Sequence, residues 1–234
     1  MLDRLSSTLI ECDTDIDVRV IVITGAGRGF CAGLDLVDAT SGKGIGAPDN
    51  PGMPPKLDLR TAPPTVLHSL DTPTICALNG GAAGYGMDLA LGCDIRVAGE
   101  SGKLAAAFTR RGVLPESGGT WLLPRLVGWA KAAEIIFTGR TLSAEQCLEL
   151  GLVNRVVPDD LLMKETMALA TEIAGNAPLA VQASKRMMRA AISEEFNDHV
   201  DHVFLQLLPL FRSKDFREGM TAFLEKRKPE FEGR

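Results

Sequence analysis

Two glycine-rich segments are the part of this chain best suited to chemistry. They read GFCAGLDL at residues 29–36 and NGGAAGYGMDLA at residues 79–90, and each follows an apolar run typical of a β-strand. A turn from a strand into a helix exposes backbone N–H groups that have no partner within the helix. Two such turns can direct their N–H groups at one carbonyl oxygen, for example that of a thioester, and stabilise negative charge on it. Either segment alone is explained equally well as a tight turn.

The start of the first segment also resembles a dinucleotide-binding fingerprint. The sequence GAGRGF occupies residues 25–30, so the sixth position is Phe30 where that fingerprint has glycine. Nucleotide-dependent dehydrogenases also have an acidic residue at the end of a second strand, about twenty residues later. This chain has no clear counterpart of that residue. A dehydrogenase is therefore disfavoured.

Composition excludes several classes of protein. The chain has 234 residues, which is long enough for a substantial core. Its formal net charge of −5 gives no overall attraction to nucleic acid or anionic membranes. The five cysteines are scattered without a CxxC pair, so we expect reduced thiols and no structural zinc site. His199 and His202 lie near acidic residues at a spacing that fits a solvated helix face better than a metal site. No signal sequence or long apolar segment is present, which predicts a cytoplasmic protein that binds neither nucleic acid nor membrane.

The apolar pattern predicts alternating strands and helices, followed by a helical second half. Strands are predicted at 19–24, 73–78, 95–98 and 103–107. Helices are predicted at 2–11, 85–91, 120–126, 130–137, 144–150, 161–173, 179–191, 194–208 and 214–226. Residues 40–64 contain six prolines and predict a long irregular segment. Ser143 and Pro158 suit helix starts, and Gly151 suits a helix end.

The two glycine-rich segments closely resemble the signature segments of the crotonase family, also called the enoyl-CoA hydratase/isomerase superfamily. The resemblance continues in the same order along the chain to the C-terminus. The further matching segments are CDIRVA at 93–98, RGVLPESGGT at 111–120, PRLVG at 124–128, TGR at 138–140, EQ at 145–146, GLV at 151–153 and FLEKRKP at 223–229.

The resemblance implies an α/β fold, in which a crotonase-like spiral of ββα units is followed by a helical C-terminal oligomerisation region. We expect the core at residues 1–190 and the helical region at 191–234, with a homotrimer or a dimer of trimers as the assembly. Crotonases carry about 25 residues ahead of the point where this chain begins, which form a β-hairpin and a basic loop that touches coenzyme A. Met1 falls inside the family's first helix, so either the usual start lies upstream or the hairpin is missing.

The resemblance also indicates which residues would bind the thioester carbonyl, the acyl group and coenzyme A. The backbone N–H groups of Leu34 and Tyr85 would form the oxyanion hole, and Tyr85 stands where hydratases often have glycine. Residues that would bind or border coenzyme A and the acyl group lie in the first signature segment, the chain centre and the C-terminal tail: Ala32, Gly33, Asp35, Leu36, Phe108 and Lys226. Residues 40–64 would border the acyl pocket.

The acidic residues distinguish this chain from a classical hydratase. Hydratases use two glutamates twenty residues apart, and the corresponding positions here are Asp88 and Phe108. Phenylalanine cannot transfer a proton, so hydration by two glutamates is disfavoured. Glu116 stands where dienoyl-CoA isomerases have a catalytic aspartate, which makes Glu116 the candidate base and Asp88 its partner or an anchor of a helix start. An ion pair of Glu116 with Arg110 or Arg111 would weaken that base.

The sequence therefore predicts an acyl-CoA enzyme that stabilises an enolate and isomerises the double bond of an enoyl- or dienoyl-CoA. No cofactor or metal is expected, because coenzyme A is part of the substrate. Two alternatives stay open: hydration of an enoyl-CoA, and a catalytically weak acyl-CoA-binding protein.

Overall fold

Two four-stranded β-sheets form the centre of the computed structural model, which describes residues 1–33 and 59–234. One sheet has the strand order β1-β3-β5-β8 and the other has the order β2-β4-β6-β7. The strands are β1 (Ile21–Thr24), β2 (Gly29–Cys31), β3 (Thr74–Leu78), β4 (Gly81–Ala83), β5 (Ile95–Gly99), β6 (Lys103–Ala105), β7 (Thr141–Ser143) and β8 (Arg155–Val157).

Each sheet receives one strand from each successive turn of the chain. Strands β3 and β5 are parallel with Ile75 opposite Ile95, and β4 and β6 are parallel with Gly81 opposite Lys103. The pairs β2–β4 and β5–β8 are parallel too, whereas β7 runs antiparallel to its neighbour β6. Two strands followed by a helix thus repeat along a spiral, which confirms the predicted fold class.

The helices are α1 (Leu2–Thr14), α2 (Pro63–Ser69), α3 (Tyr85–Gly92), α4 (Gly119–Val127), α5 (Trp129–Thr138), α6 (Ala144–Glu149), α7 (Leu162–Ala174), α8 (Pro178–Ala190), α9 (Phe196–Phe211) and α10 (Lys214–Glu225). Short 3-10 turns cover Leu59–Thr61, Thr109–Arg111 and Asp159–Leu161. No helix in the described ranges is both long enough and apolar enough to cross a membrane.

Strand β3 and helix α3 are largely apolar on all faces because both lie in the core. All five residues of β3 are buried, as expected of a central strand covered on both faces. Seven of the eight residues of α3 are buried as well, so this helix lies inside the protein. The second signature segment is therefore held between a buried strand and a buried helix, and the position of its backbone is strongly constrained.

The helix signals in the sequence correspond to the observed ends. Ser143 caps α6 in a reciprocal capping box with Gln146, and Gly151 follows α6 with φ +74°. Pro158 precedes the 3-10 turn that leads into α7. Four of the eight strands in the described residues were not predicted: β2, β4, β7 and β8 have three residues each, too few for an alternating pattern. Strand β6 is equally short, but it was predicted as part of a longer segment at 103–107.

One correction concerns the proline-rich segment. Helix α2 begins at Pro63, inside the stretch predicted to be irregular, because proline is well tolerated in the first turn of a helix. Residues 34–58 of that stretch lie outside the described residues, so the rest of this prediction is not addressed by the structure.

The chain divides into two compact units. The first contains Met1–Leu9, Val22–Ser69 and Thr74–Thr166, and the second contains Ile10–Ile21, Leu70–Pro73 and Met167–Arg234. The first unit holds both signature segments and Glu116, and the second holds α8, α9 and α10. The division at residue 190 into a core and an oligomerisation region stays a prediction.

Charged groups organise the second unit. The carboxylate of Asp71 pairs with Arg186 at 2.7 Å and with Arg189 at 2.8 Å. The buried carboxylate of Asp215 accepts the backbone N–H groups of Glu232 at 2.7 Å and Gly233 at 2.9 Å. These contacts attach a short connecting segment and the C-terminal tail to the helices.

The two histidines on α9 share one carboxylate. The Nδ1 atoms of His199 and His202 lie 2.6 Å and 2.9 Å from the two oxygens of Glu194. No cluster of three or more metal-binding side chains is found in the residues that the structure describes.

Candidate active site

The two signature segments approach each other closely in the first unit. Gly33 has φ +84°, and a Cβ atom at this position would lie 2.5 Å from the carbonyl oxygen of Ala83 and 3.5 Å from the backbone nitrogen of Tyr85. A Cβ atom at Gly86 would likewise overlap the carbonyl oxygen of Cys31. Glycine at both positions thus permits a backbone contact that any side chain would prevent.

Tyr85 begins helix α3 directly beside this contact. Gly84 precedes it with φ +54°, and the N–H of Gly84 donates to the carbonyl of Ala105 at 2.9 Å. The N–H groups of the first helical turn have no carbonyl to bond within the helix, so the N–H of Tyr85 is available to a ligand. Leu34, Asp35 and Leu36 lie outside the described residues, whereas Ala32 and Gly33 lead up to them.

Asp88 is the most deeply buried acid among the described residues of the first unit. Its side chain lies on α3 and is 1% exposed. The backbone N–H of Ser117 donates to its Oδ2 at 3.2 Å, and the N–H of Gly119 donates to the same carboxylate. Burial and, secondly, the charge of Glu116 raise the pKa of Asp88 from 3.8 to about 7, although the two N–H donors act in the opposite direction. Close to neutral pH, this carboxyl can both hold and release a proton.

The same hydrogen bonds fix the loop that carries Glu116. Ser117 and Gly119 flank the N-cap of α4, so the Asp88 carboxylate lies at the start of that helix. Asp88 therefore anchors a helix start, which is one of the two roles that the sequence suggested for it. It also lies close enough to Glu116 for the charge of Glu116 to raise its pKa. Both predicted acids belong to one local arrangement.

Glu116 is half-buried and is free of the arginines that precede it. The guanidinium of Arg110 donates to the carbonyl of Thr138 at 3.2 Å, and that of Arg111 donates to the carbonyl of Ala107 at 3.0 Å. Among the described residues, none of the ion pairs involves Glu116. The arrangement that would have weakened Glu116 as a base is not observed.

Phe108 occupies an apolar position beside the acids. It is 4% exposed, and with Asp88 it lines a narrow pocket whose other walls are apolar. The remaining lining residues are Met87, Leu91, Ala106, Pro115, Gly119, Leu123 and Ile136. These surroundings explain the desolvation of Asp88, and they provide no second carboxyl at the hydratase position.

Comparison with known proteins identifies the family of this chain. A family model described as "Enoyl-CoA hydratase/isomerase" matches residues 1–234. The chain belongs to this family. It is 40% identical to the 1,2-epoxyphenylacetyl-CoA isomerase of Escherichia coli K12, over 99% of this chain and 89% of that protein. It is 36% identical to a probable enoyl-CoA hydratase of Bacillus subtilis 168, over 100% of this chain and 89% of that protein.

A solved structure has the same fold. The crystal structure of a probable enoyl-CoA hydratase/isomerase from Mycobacterium abscessus superposes with a TM-score of 0.88 at 35% identity, covering 99% of this chain and 88% of that one. The two acids and the two converging segments therefore belong to an enzyme of the enoyl-CoA hydratase/isomerase family, and acyl-CoA is the substrate class consistent with it.

Lys226, which is predicted to contact coenzyme A, lies in the second compact unit. Lys226 ends α10 with a left-handed backbone, φ +55°. The neighbouring Arg227 pairs with Glu218 at 2.6 Å and with Glu225 at 2.7 Å. The structure describes this helix end within its own unit, so the role of Lys226 in binding coenzyme A stays a prediction.

Sequence reasoning missed two features of the site. The N–H groups of Ser117 and Gly119 bind Asp88, which requires the fold to bring residues about thirty positions apart together. The sequence indicated a role for the backbone N–H of Tyr85 and none for its hydroxyl. It is shielded from solvent and has no hydrogen-bond partner in the described residues.

Proposed function

We propose that this chain isomerises the double bond of an enoyl- or dienoyl-coenzyme A thioester. The observation that carries the proposal is the pair of neighbouring carboxyls, Asp88 and Glu116, beside two converging glycine-rich segments. A base near the substrate carbon and N–H donors for the enolate oxygen are the two requirements of this reaction. A 40%-identical relative is named an isomerase of a coenzyme A thioester, 1,2-epoxyphenylacetyl-CoA, which supports isomerisation in general.

In the proposed reaction, the carboxylate of Glu116 removes a proton from a carbon in conjugation with the thioester. The electron pair moves through the chain onto the carbonyl oxygen, where the N–H groups of Leu34 and Tyr85 stabilise it. A proton then returns to the other end of the conjugated system, from Glu116 or from Asp88, and the double bond moves. When Asp88 supplies this proton, the proton taken up by Glu116 passes to Asp88 before the next turnover. The composition of the substrate is unchanged, and no redox step is needed.

The pKa of Asp88 supports its part in this scheme. A carboxyl with a pKa of about 7 is neither fully protonated nor fully ionised near neutral pH, so both directions of proton transfer are accessible. We propose that Asp88 acts as the proton partner while it also holds the loop of Glu116. The scheme needs only carboxyl and amide groups, with coenzyme A as part of the substrate and no further cofactor.

Hydration of an enoyl-CoA is the second candidate function. Several relatives carry hydratase names, including the Bacillus subtilis protein. Against it stands Phe108, because a buried aromatic ring cannot orient water or transfer its proton. The third candidate is an acyl-CoA-binding protein without chemistry.

Replacing Glu116 by glutamine separates these candidates. The purified protein is assayed spectrophotometrically with crotonyl-CoA, a 3-enoyl-CoA and a 3,5-dienoyl-CoA. Loss of a general base lowers rates by about 10²- to 10⁴-fold, so isomerisation by the variant should fall by at least about 10²-fold. Its affinity for a saturated acyl-CoA should stay within about threefold, because a neutral amide has nearly the same shape.

Glu149→Gln is the matched control, since Glu149 is exposed at the end of α6. This variant should isomerise at the rate of the wild type. Crotonyl-CoA hydration that survives in Glu116→Gln would contradict the proposal and return the chemistry to Asp88. Affinity without any turnover in the wild type would favour the binding protein.

We also propose that the chain assembles as a homotrimer or a dimer of trimers. Helix α9 has no buried residue, and it exposes Phe204 by 57% and Leu205 by 62%. On α10, Phe223 and Leu224 are 81% and 80% exposed. Exposed apolar side chains in such numbers are typical of a surface that is covered by another chain. In the assembly, Lys226 would reach the coenzyme A phosphates of an adjacent subunit, and light scattering of the purified protein measures the number of subunits.

The five cysteines are all free thiols, which supports the prediction of a reducing, cytoplasmic location. Fractionation of cells that produce the protein tests this location.

A further inference from the structure

The hydroxyl of Tyr85 is a buried polar group that the proposed reaction does not use. It has no hydrogen-bond partner in the described residues, although its ring is only half-buried. Buried hydroxyls are nearly always hydrogen-bonded, because leaving one unpaired is costly. An unpaired hydroxyl at a candidate active site therefore suggests a partner that arrives with the substrate.

The surroundings of this hydroxyl place it beside the reacting groups. Burial and then the charges of Cys31, Glu116 and Asp88 raise the pKa of the phenol above its usual range. The phenol consequently stays protonated, and it offers a hydrogen-bond donor rather than an anionic acceptor. All four residues belong to the first compact unit.

The substrate has to occupy the same space. Its carbonyl oxygen would bind the backbone N–H of Tyr85, and its reacting carbon would approach Glu116. The side chain of Tyr85 starts from the first of these positions, and the charge of Glu116 acts on its phenol. We therefore expect this side chain to border the first few carbons of the acyl group.

We propose that the Tyr85 hydroxyl donates a hydrogen bond to an oxygen atom carried by the acyl group itself, so that the site prefers acyl-CoA thioesters oxygenated near the reacting carbons. This inference rests on the proposed function for the position of the substrate. A site that contains a polar group for one substrate oxygen discriminates against analogues that lack this oxygen, because the polar group is then left unpaired.

The variant Tyr85→Phe removes the hydroxyl and keeps both the ring and the backbone N–H. Isothermal titration calorimetry measures the affinities of hexanoyl-CoA, 3-hydroxyhexanoyl-CoA and 4-hydroxyhexanoyl-CoA for both proteins. For at least one hydroxylated ligand, the preference over hexanoyl-CoA should fall about tenfold in the variant, the usual size of one lost hydrogen bond. An unchanged preference for both hydroxylated ligands, or no binding of any of the three, overturns the proposal.

Thermal unfolding of the ligand-free proteins provides a second, independent readout. The variant should unfold at the same temperature as the wild type or at a higher one, because it loses an unpaired hydroxyl. A clearly lower unfolding temperature would show that the hydroxyl has a partner within the fold, and it would overturn the proposal. Tyr85 is the only tyrosine of the chain, so its phenol signals in NMR spectra need no further assignment.

Thr166→Val is the control variant. The hydroxyl of Thr166 is also buried without a partner in the described residues, and it lies in the same compact unit, on α7. Its removal should leave the ligand preference unchanged, and an equal fall in preference would assign the effect to general loosening of the unit. Turnover of the 3-enoyl-CoA, measured on the same wild-type preparation, tests the proposed function separately: a preference lost without any turnover would refute isomerisation and keep the role of Tyr85.

Discussion

Replacing Asp88 by asparagine tests the buried carboxyl directly through the pH dependence of stability. The pKa of Asp88 is raised from 3.8 to about 7, and each pKa unit corresponds to about 1.4 kcal/mol. Between these two values the folded protein holds a proton that the unfolded chain has released. Stability therefore falls as the pH rises through this range, by up to ~4 kcal/mol, and then levels off above neutrality.

The asparagine variant should lack this decline. Its amide places an NH2 group opposite one of the two backbone donors, Ser117 or Gly119, which adds a cost of ~1–3 kcal/mol at every pH. The prediction thus concerns how the free energy of unfolding changes with pH, and not its value at any one pH. Relative to the wild type, the variant should gain up to ~4 kcal/mol of unfolding free energy between about pH 4 and about pH 8.

Urea unfolding at several pH values, at one fixed protein concentration, measures this difference. Asp159→Asn is a suitable control, because hydrogen bonds from the side chain and backbone of Ser101 lower the pKa of Asp159. Its contribution to stability is present above the ordinary pKa of aspartate and is lost as the pH falls, which is the opposite sign. A difference between wild type and Asp88→Asn that does not vary with pH would refute the reasoning about burial.

Two further substitutions test the framework of the site. Gly33→Ala should lower both stability, by about 2 kcal/mol or more in urea unfolding, and turnover, because the new Cβ would approach the Ala83 carbonyl at 2.5 Å. Gly27→Ala has a similar positive φ and open space around it, so it isolates backbone strain, and equal effects of the two variants would argue against the contact. Ser143→Ala removes the capping box of α6 and should cost about 1 kcal/mol, a fall of about 2–4 °C in the unfolding temperature by calorimetry, with turnover unchanged. An unchanged unfolding temperature would show that the cap contributes nothing.

The sequence predicted the long elements well and the short ones poorly. Helices such as α8 and α9 show an apolar repeat over several turns, and their observed ends lie within about three residues of the predicted ends. Strands of three residues, such as β4, have too few positions for a period and are formed by pairing with distant neighbours. The order of the strands within each sheet followed only from the resemblance to a known family.

The site was predictable in its residue types but not in its connections. The motifs identified Asp88 and Glu116 as candidate acids, and the structure brings them together in one arrangement. The hydrogen bonds from Ser117 and Gly119 to Asp88, and the unpaired hydroxyl of Tyr85, depend on distances across the fold that no linear pattern contains. Electrostatic effects such as the raised pKa of Asp88 likewise require burial to be known.

The C-terminal tail has a practical consequence for labelling. The carbonyl of Arg234 accepts the N–H groups of Lys214 at 2.8 Å and Asp215 at 3.2 Å, while Asp215 binds the tail in return. These bonds close the last residues onto the first turn of α10. A fluorophore placed on the tail would therefore tumble with the helix, and its release would report the opening of the first turn of α10.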